Sequence, residues 1–347
     1  MKGELMLVTG ASGMIGWHTI RRALAEGYRV RGMVRPSSDR SVLAGLPVEI
    51  VEADLGKPET LEPAVNGVQV VVHTAAHIGD WGPIDEYRRI NVVGLEHLIT
   101  ACARQSTLRR FIHISTLGVY PARDHFGTDE SVPPDLTGLD GYTRTKAEGE
   151  ILLRHHIEHF GFPAVILRPG FVYGPGERHS IPRVIENLLA GRLKFIGDGN
   201  KLLNNTYVGN LVDAIFLAID HPAAVGETFN IRDGRLVTRR EYINTIADYF
   251  GKPHPGKVPL WLARLAVGPM EWWAKLTGRK SPPILTRARL KFMALNLDFS
   301  IEKAQKILGY QPRVDFQEGI KETLDWAVEH LPVAKAAIGE KGGGRGK

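Results

Sequence analysis

Apolar runs of strand length recur along the first half of the chain, and amphipathic stretches separate them. The runs predict strands at Leu5–Thr9, Arg29–Val34, Val48–Ala53, Val70–His73, Arg110–Ser115 and Ala164–Leu167. Between them, apolar residues spaced for one face of a helix predict helices near Met14–Glu26, Pro58–Val65, Asp85–Arg104 and Gly141–Phe160. Strands alternating with helices imply parallel βαβ units. Two such halves form a doubly wound α/β sheet, which binds ligands beyond the carboxyl ends of its strands. Past about Gly174 the alternation fails, and short helical stretches, prolines and aromatics take over. A smaller C-terminal domain is expected there. Thr228–Ile231 reads as a strand returning to the main sheet, so the two units interleave. The expected division is 1–174 with 206–235, then 175–205 with 236–332, and a flexible tail over 333–347.

The first strand runs into a glycine turn, Val8-Thr9-Gly10-Ala11-Ser12-Gly13-Met14-Ile15-Gly16, that opens the first helix. Such a turn lets the backbone approach a pyrophosphate and aims a helix N-terminus at the anion. The spacing is G-x-x-G-x-x-G, which departs from the G-x-G-x-x-G dinucleotide fingerprint. A purely structural turn is the competing reading. The end of the second strand discriminates between cofactors, an acid there suiting NAD and an arginine suiting a 2′-phosphate. Arg35 stands at that place, which favours NADP(H) over NAD(H). The alternative is an arginine that stacks on adenine or faces water.

Tyr142 and Lys146 lie four residues apart and so share one helix face. A lysine ammonium beside a phenol favours the phenolate and lowers its pKa, which suits proton exchange with a hydroxyl or carbonyl. The preceding strand ends Ile114-Ser115-Thr116, where a hydroxyl has access to a substrate oxygen. Farther along the same helix, His155-His156-Ile157-Glu158-His159 matches the H-x-x-E-H pattern of one zinc-peptidase class. No separate feature supplies a third ligand, and a polar helix surface accounts for these residues. No metal is expected.

Together these motifs resemble the extended short-chain dehydrogenase/reductase superfamily, also called the NAD-dependent epimerase/dehydratase group. The resemblance spans roughly Leu5 to Leu331. Its parts are the Gly10/Gly13/Gly16 turn, Asp54-Leu55, His73-Thr74-Ala75-Ala76, Asn91, Ser115-Thr116, Tyr142/Lys146, Arg168-Pro169-Gly170 and Val172-Tyr173-Gly174-Pro175. It implies a Rossmann-type doubly wound parallel sheet with a smaller C-terminal substrate-binding domain. It also implies an enzyme with Tyr142 and Lys146 as catalytic residues, Thr116 as the third member and Ser115 as its rival. Gly10, Ser12, Gly13, Met14, Ile15, Gly16, Arg35, Asp54, Leu55, Ala75, Ala76, Asn91, Lys146, Pro169 and Val172 would contact the cofactor. Asp54 and Leu55 would touch adenine, Ala75 and Ala76 would line the cofactor, and Lys146 would also hold the nicotinamide ribose.

Nucleotide-sugar members of this group usually carry an arginine just before a Tyr-Ile/Val-x-Val-x-Asp stretch. Here the stretch is Asn205-Thr206-Tyr207-Val208-Gly209-Asn210, without the arginine and with Asn210 for the acid. It resembles the 3β-hydroxysteroid dehydrogenase branch, as do Ala75-Ala76-His77-Ile78-Gly79-Asp80-Trp81 and Asn230-Ile231-Arg232-Asp233-Gly234. The resemblance implies NAD(P)-dependent interconversion of a secondary alcohol and ketone on a bulky apolar substrate, either a 3β-hydroxysteroid or sterol-like molecule or a long-chain 3-oxo compound. A nucleotide-sugar epimerase with tightly bound NAD is the alternative. A non-enzymatic nucleotide sensor is disfavoured because Thr116, Tyr142 and Lys146 are all present.

Composition adds limits. The 347 residues suffice for a large core, and the net charge of +6 owes part of its excess to a Gly-rich end carrying Lys335, Lys341, Arg345 and Lys347. A solvated tail explains that charge, and no nucleic-acid partner is expected. The one cysteine, Cys102, excludes an intrachain disulfide and fits a reducing, cytoplasmic setting. No secretory leader and no spanning segment are expected. Trp261 to Trp273 is apolar but interrupted by Arg264, Pro269 and Glu271, with Pro259 before it. The two prolines predict short helices that would roof an apolar pocket. Ordinary packing and peripheral membrane contact through 258–280 are the alternatives, and a homodimer is left open.

Overall fold

Seven of the apolar runs form one parallel sheet in the computed structural model, which describes residues 3–138, 140–277, 283 and 285–343. The first half contains β1 (Leu5–Thr9), α1 (Met14–Ala25), β2 (Arg29–Val34), β3 (Val48–Glu52), α2 (Leu61–Val65) and β4 (Val70–His73). It continues through α3 (Ile84–Arg88), α4 (Gly94–Ala103), β5 (Arg110–Ile114), β6 (His125–Thr128), α5 (Gly141–Phe160), β7 (Ala164–Pro169) and β8 (Phe171–Tyr173). Then come α6 (Ser180–Leu189), β9 (Lys194–Ile196), β10 (Leu202–Leu203), β11 (Asn205–Tyr207), α7 (Val208–Asp220), β12 (Thr228–Ile231), β13 (Val237–Thr238) and α8 (Arg239–Phe250). The chain closes with β14 (Gly256–Val258), α9 (Leu260–Leu276), α10 (Arg287–Ala294), β15 (Leu297–Phe299), α11 (Glu302–Leu308), α12 (Phe316–His330) and α13 (Pro332–Gly343).

The strand order is β12-β7-β5-β4-β1-β2-β3. The chain leaves β1 toward β2 and β3, then returns to β4 on the other side of β1. That reversal opens a crevice at the carboxyl ends of β1 and β4, the ligand position of doubly wound sheets. Helices cover both faces, which is why the central strands are continuously apolar instead of alternating. On one face Met6, Val8, Val72, Ile112 and Leu167 pack with Ile20, Leu211 and Ile215. On the other, Leu7, Val71, Phe111 and Ile166 pack with Leu95, Leu98 and Leu153. A third core gathers Tyr173, Tyr207, Tyr242 and Phe316 from the elements beyond the sheet. β12 pairs with β7 in parallel, so the late strand does return to the main sheet.

Three expectations change. The helix expected over Asp85–Arg104 is continuous, but a π-helical stretch at Arg89–Val93 joins α3 to α4. Pro269 does not divide the Trp-rich segment, and α9 runs through it as one helix. The preceding Gly268 has no Cβ to crowd the proline ring, and Pro259 sits just ahead of the first turn, where a proline is tolerated. Residues 333–343 are helical in α13 with Ala334 and Ala337 buried, where a flexible tail was expected. The rest of that expected tail, 344–347, and the 278–280 end of the expected membrane-contact segment lie outside the described residues.

Candidate active site

The glycine turn sits in the β1/β4 crevice. Gly10 has φ +67°, a left-handed backbone, and a Cβ there would meet Thr74 Oγ1 at 2.8 Å and the Ala75 nitrogen at 2.9 Å. A Cβ on Gly16 would lie 2.3 Å from the Gly10 carbonyl oxygen. Both glycines are therefore required by close approach. Thr9 ties the strands together at this point. Its hydroxyl accepts from the Ala75 N–H (3.2 Å) and bonds His73 Nδ1 (2.8 Å), while the Thr74 hydroxyl donates to the Thr9 carbonyl (2.7 Å). The first turn of α1 contains no acid, and no side chain caps it. Ser12 and Gly13 lie in the turn itself, while the Met14 side chain packs against the third core and that of Ile15 against the first, so those two would meet a ligand through their main chains. This cradle fits a dinucleotide pyrophosphate.

The expected cofactor residues divide into two sets. Arg35 is exposed at the end of β2, where its main chain closes a turn with Ser38. Asp54 accepts from the Gly56 N–H (2.8 Å) at the end of β3. Ala75 and Ala76 are partly buried after β4, and Pro169 and Val172 follow from the end of β7 into β8. Two residues differ from expectation. The Leu55 side chain is buried in the core, so only its main chain could border adenine. Asn91 is buried and uses its whole amide internally. It accepts from the His77 N–H (2.8 Å) and donates to the His77 carbonyl (3.0 Å) and the Thr145 hydroxyl (3.0 Å). It thereby pins the loop after β4 onto α5, a positioning role in place of cofactor contact.

Helix α5 starts where Asp140 caps it. The Asp140 carboxylate accepts from the Thr143 N–H (2.8 Å) and hydroxyl (2.9 Å). The first turn thereby fixed carries Tyr142, and the next carries Lys146. Lys146 is 3% exposed and donates to the Ile114 carbonyl (2.6 Å) at the end of β5. Burial pushes its pKa down to about 8, with Glu150 opposing. The Tyr142 phenol moves opposite to expectation. Burial, and then the Asp140 charge, push its pKa up. Lys146 directs its ammonium at Ile114, which is why its charge does not depress the phenol here.

The two rival hydroxyls occupy different places. Ser115 is buried and donates to the Glu150 carboxylate. Glu150 is in turn held by Arg168, with Nε 2.9 Å from Oε1 and Nη2 2.6 Å from Oε2. Arg168 also donates to the Tyr120 hydroxyl (2.8 Å), which donates to Asn230 (2.9 Å). Ser115 thus belongs to a closed polar network beneath α5. Thr116 caps the turn Leu117–Val119, accepting from the Gly118 N–H (3.0 Å), and stays partly exposed. His73 and His113 stack behind the site at 5.4 Å between centroids. Burial, with Lys146 adding to it, lowers both pKa values, that of His73 to about 3, so both rings are neutral.

Sequence reasoning missed three contributors. Glu150, four residues after Lys146, was detectable as a carboxylate on the same helix face. Asp233 is a buried hub that accepts from Tyr173, Asn205, the Tyr207 N–H and Asn210 at 2.7–3.0 Å. Asn210 in the usual acid's place supplies a donor to Asp233 and avoids two adjacent buried carboxylates. Lys291 in α10 had no sequence signal. Its ammonium donates to the Gly118 and Tyr120 carbonyls, each at 3.2 Å. The Trp-rich helix also sits differently from expectation. Ala263, Val267 and Ala274 are buried, whereas Trp261, Leu262, Leu265, Trp272, Trp273 and Leu276 are 45–66% exposed. At roughly 100° per residue these six fall within about 120° of arc. His155 and His159 lie 4.3 Å apart on α5, and among the described residues no group of three or more potential metal ligands occurs. Also among them, no helix is long and apolar enough to cross a membrane.

A glycine turn in the switch-point crevice, beside a helix carrying a half-buried Tyr142 and a buried Lys146, defines a short-chain dehydrogenase/reductase type of site. Comparison with known proteins identifies the family. Residues 6–231 match the NAD dependent epimerase/dehydratase family, and the chain belongs to it, within the extended short-chain dehydrogenase/reductase superfamily. It is 31% identical to a 2-alkyl-3-oxoalkanoate reductase of Stenotrophomonas maltophilia, over 91% of this chain and 97% of that protein. It is also 31% identical to a decarboxylating sterol-4-alpha-carboxylate 3-dehydrogenase of Saccharomyces cerevisiae, over 95% and 99%. Its fold is similar to the crystal structure of a UDP-glucuronic acid 4-epimerase from Bacillus cereus in complex with UDP-glucuronic acid and NAD. There the TM-score is 0.74 and the identity 26%, over 94% of this chain and 99% of that one.

Proposed function

We propose that this protein is an NAD(P)-dependent oxidoreductase that interconverts a secondary alcohol and a ketone on a bulky apolar substrate, sterol-like or a long-chain 3-oxo compound. The observation that carries the reading is the meeting of the glycine cradle, the Tyr142/Lys146 helix and the Thr116 turn at one end of the sheet. The oxidoreductases among the relatives support it. In this reading the amides of Ser12, Met14 and Ile15 hold the pyrophosphate, the Gly13 N–H closing the turn on the Gly10 carbonyl (2.9 Å), Asp54 and the Leu55 main chain border adenine, and Ala75, Ala76, Pro169 and Val172 line the crevice. Arg35 faces a 2′-phosphate, so NADP(H) is the preferred cofactor. Lys146 holds the nicotinamide ribose. The bound cofactor supplies or accepts the hydride.

Thr116 orients the substrate oxygen, and Tyr142 moves its proton. With its pKa raised by burial, Tyr142 is a phenol at neutral pH, the form that donates to an oxygen gaining negative charge during ketone reduction. The Ser115 hydroxyl, held by Glu150, leaves Thr116 as the hydroxyl free for this role. The outward stripe on α9 favours peripheral contact with a membrane surface over enclosure of substrate by Trp272 and Trp273 themselves. A cytoplasmic location fits Cys102, whose buried thiol is pushed up to about 12 and is inert. The test is oxidation of NADPH and NADH with a panel of apolar ketones and nucleotide sugars. Consumption with the ketones supports the reading. Conversion of a sugar without net cofactor consumption favours the epimerase alternative, which the fold likeness to the UDP-glucuronic acid epimerase keeps in view.

A further inference from the structure

Lys291 brings a cation to the candidate site from a helix far along the chain. It is half-buried, and two carbonyls, those of Gly118 and Tyr120, accept from its ammonium. Gly118 is also the residue whose N–H donates to the Thr116 hydroxyl. A Cβ built on Gly118 would lie 3.3 Å from that hydroxyl and 2.9 Å from Thr143 Cγ2 in the first turn of α5. One small residue therefore stands between the Lys291 ammonium, the Thr116 hydroxyl and the start of the Tyr142 helix. Asp140 acts electrostatically on both Tyr142 and Lys291, which places them in one local field.

An ammonium has three donors, and two are accounted for here. The neighbouring cations are committed elsewhere: Arg168 to Glu150, Arg289 to Asp80, and Lys146 to the Ile114 carbonyl. The nearby carboxylates are committed too, Asp135 to Thr137 and Asp140 to Thr143. Burial lowers the Lys291 pKa, with Asp140 and Asp135 opposing, so an arriving carboxylate would offset the cost of its partial burial.

We propose that Lys291 binds a carboxylate on the carbon next to the reacting carbinol or carbonyl carbon, making 3-hydroxy and 3-oxo acids with a bulky apolar body the preferred substrates. This inference rests on the oxidoreductase reading above. The names of two relatives, 2-alkyl-3-oxoalkanoate reductase and sterol-4-alpha-carboxylate 3-dehydrogenase, share this fragment. In it the carboxylate carbon is two bonds from the reacting carbon. Gly118 links the two ends of this arrangement, its N–H on the Thr116 hydroxyl and its carbonyl on the Lys291 ammonium.

The competing role for Lys291 is a clamp that only ties the Gly118–Tyr120 segment to α10. The test compares a 2-alkyl-3-hydroxy acid, its methyl ester and the matching secondary alcohol without a carboxyl group, read as NAD(P)⁺ reduction. Wild type should favour the acid. Lys291→Met should lose about 10- to 100-fold in kcat/KM on the acid, mostly through KM, and several-fold less on the ester and alcohol, whose loss reports the clamp alone. Lys291→Gln, which keeps a donor for the two carbonyls, should show the same discrimination and serves if the methionine variant does not fold. Equal loss on all three substrates, or a wild type indifferent to the carboxylate, overturns the carboxylate site and leaves the oxidoreductase reading standing. A wild type that oxidises none of the three alcohols, and reduces none of the matching ketones, overturns both.

Discussion

Replacing Lys146 by methionine should stabilise the fold at neutral pH while abolishing turnover, and that gain should shrink as pH rises. An unfolded lysine binds its proton with a pKa of 10.5, and the folded Lys146 with one of about 8. The unfolded chain therefore holds the proton more tightly, so this residue opposes folding below about pH 8, and the opposition fades as pH rises toward 10.5. At about 1.4 kcal/mol per pH unit, the opposition is about 3 kcal/mol near pH 7 and about 1.4 kcal/mol near pH 9.5. Methionine removes it. The Ile114 carbonyl then loses its donor, at about 1–3 kcal/mol, but at both pH values alike. The difference between the two pH values is therefore the diagnostic quantity. Urea unfolding of wild type and Lys146→Met, followed by far-UV circular dichroism, should show the variant's relative stability falling by about 2 kcal/mol from pH 7 to pH 9.5. A stability difference that does not change with pH would refute a buried lysine with a depressed pKa.

Tyr142→Phe should keep the fold and cofactor affinity while kcat falls by roughly 100-fold or more, the scale of general acid–base catalysis, and near-normal turnover would sink the assignment. Arg35→Asp should turn a preference for NADPH into one for NADH, since a lost charged phosphate partner costs about 1.5–3 kcal/mol. Wild-type kinetics that already favour NADH would show Arg35 has another role. Wild type should sediment with anionic phospholipid vesicles, and Trp272→Ala with Trp273→Ala should abolish this without changing kcat/KM. A rise in KM confined to long apolar ketones would instead make α9 a substrate roof, and a shift from dimer to monomer would make it a contact between two copies.

The sheet was readable because burial on both faces makes its strands continuous apolar runs, and because Gly10 and Gly16 are needed where chains nearly touch. Helix α5 was readable to the residue, since Asp140 caps its start and Gly161, left-handed at φ +62°, ends it. In the candidate site, the placement of Tyr142 and Lys146 one turn apart on α5 was legible because it follows local spacing. The site was not legible where the partner comes from a distant element. Ser115 and Thr116 are adjacent hydroxyls in sequence, and only the Glu150–Arg168 pair, drawn from α5 and β7, separates them. Likewise the direction of the Tyr142 shift depends on which way the Lys146 ammonium turns, a matter of β5 and not of helix spacing. Pro269 shows the reverse case, a strong local signal overridden by a helix that continues through it.

In the proposed reaction Tyr142 exchanges a proton with the substrate oxygen while the cofactor exchanges a hydride with the carbon that bears it. Transfer of deuterium from NADPH or NADH carrying deuterium at both C4 positions tests this most directly. Mass spectrometry of the product alcohol should find one deuterium on the carbinol carbon for each ketone reduced, with one reduced cofactor consumed and the signal lost in Tyr142→Phe. An unlabelled product, or a nucleotide sugar epimerised while the cofactor pool stays unchanged, would contradict the account.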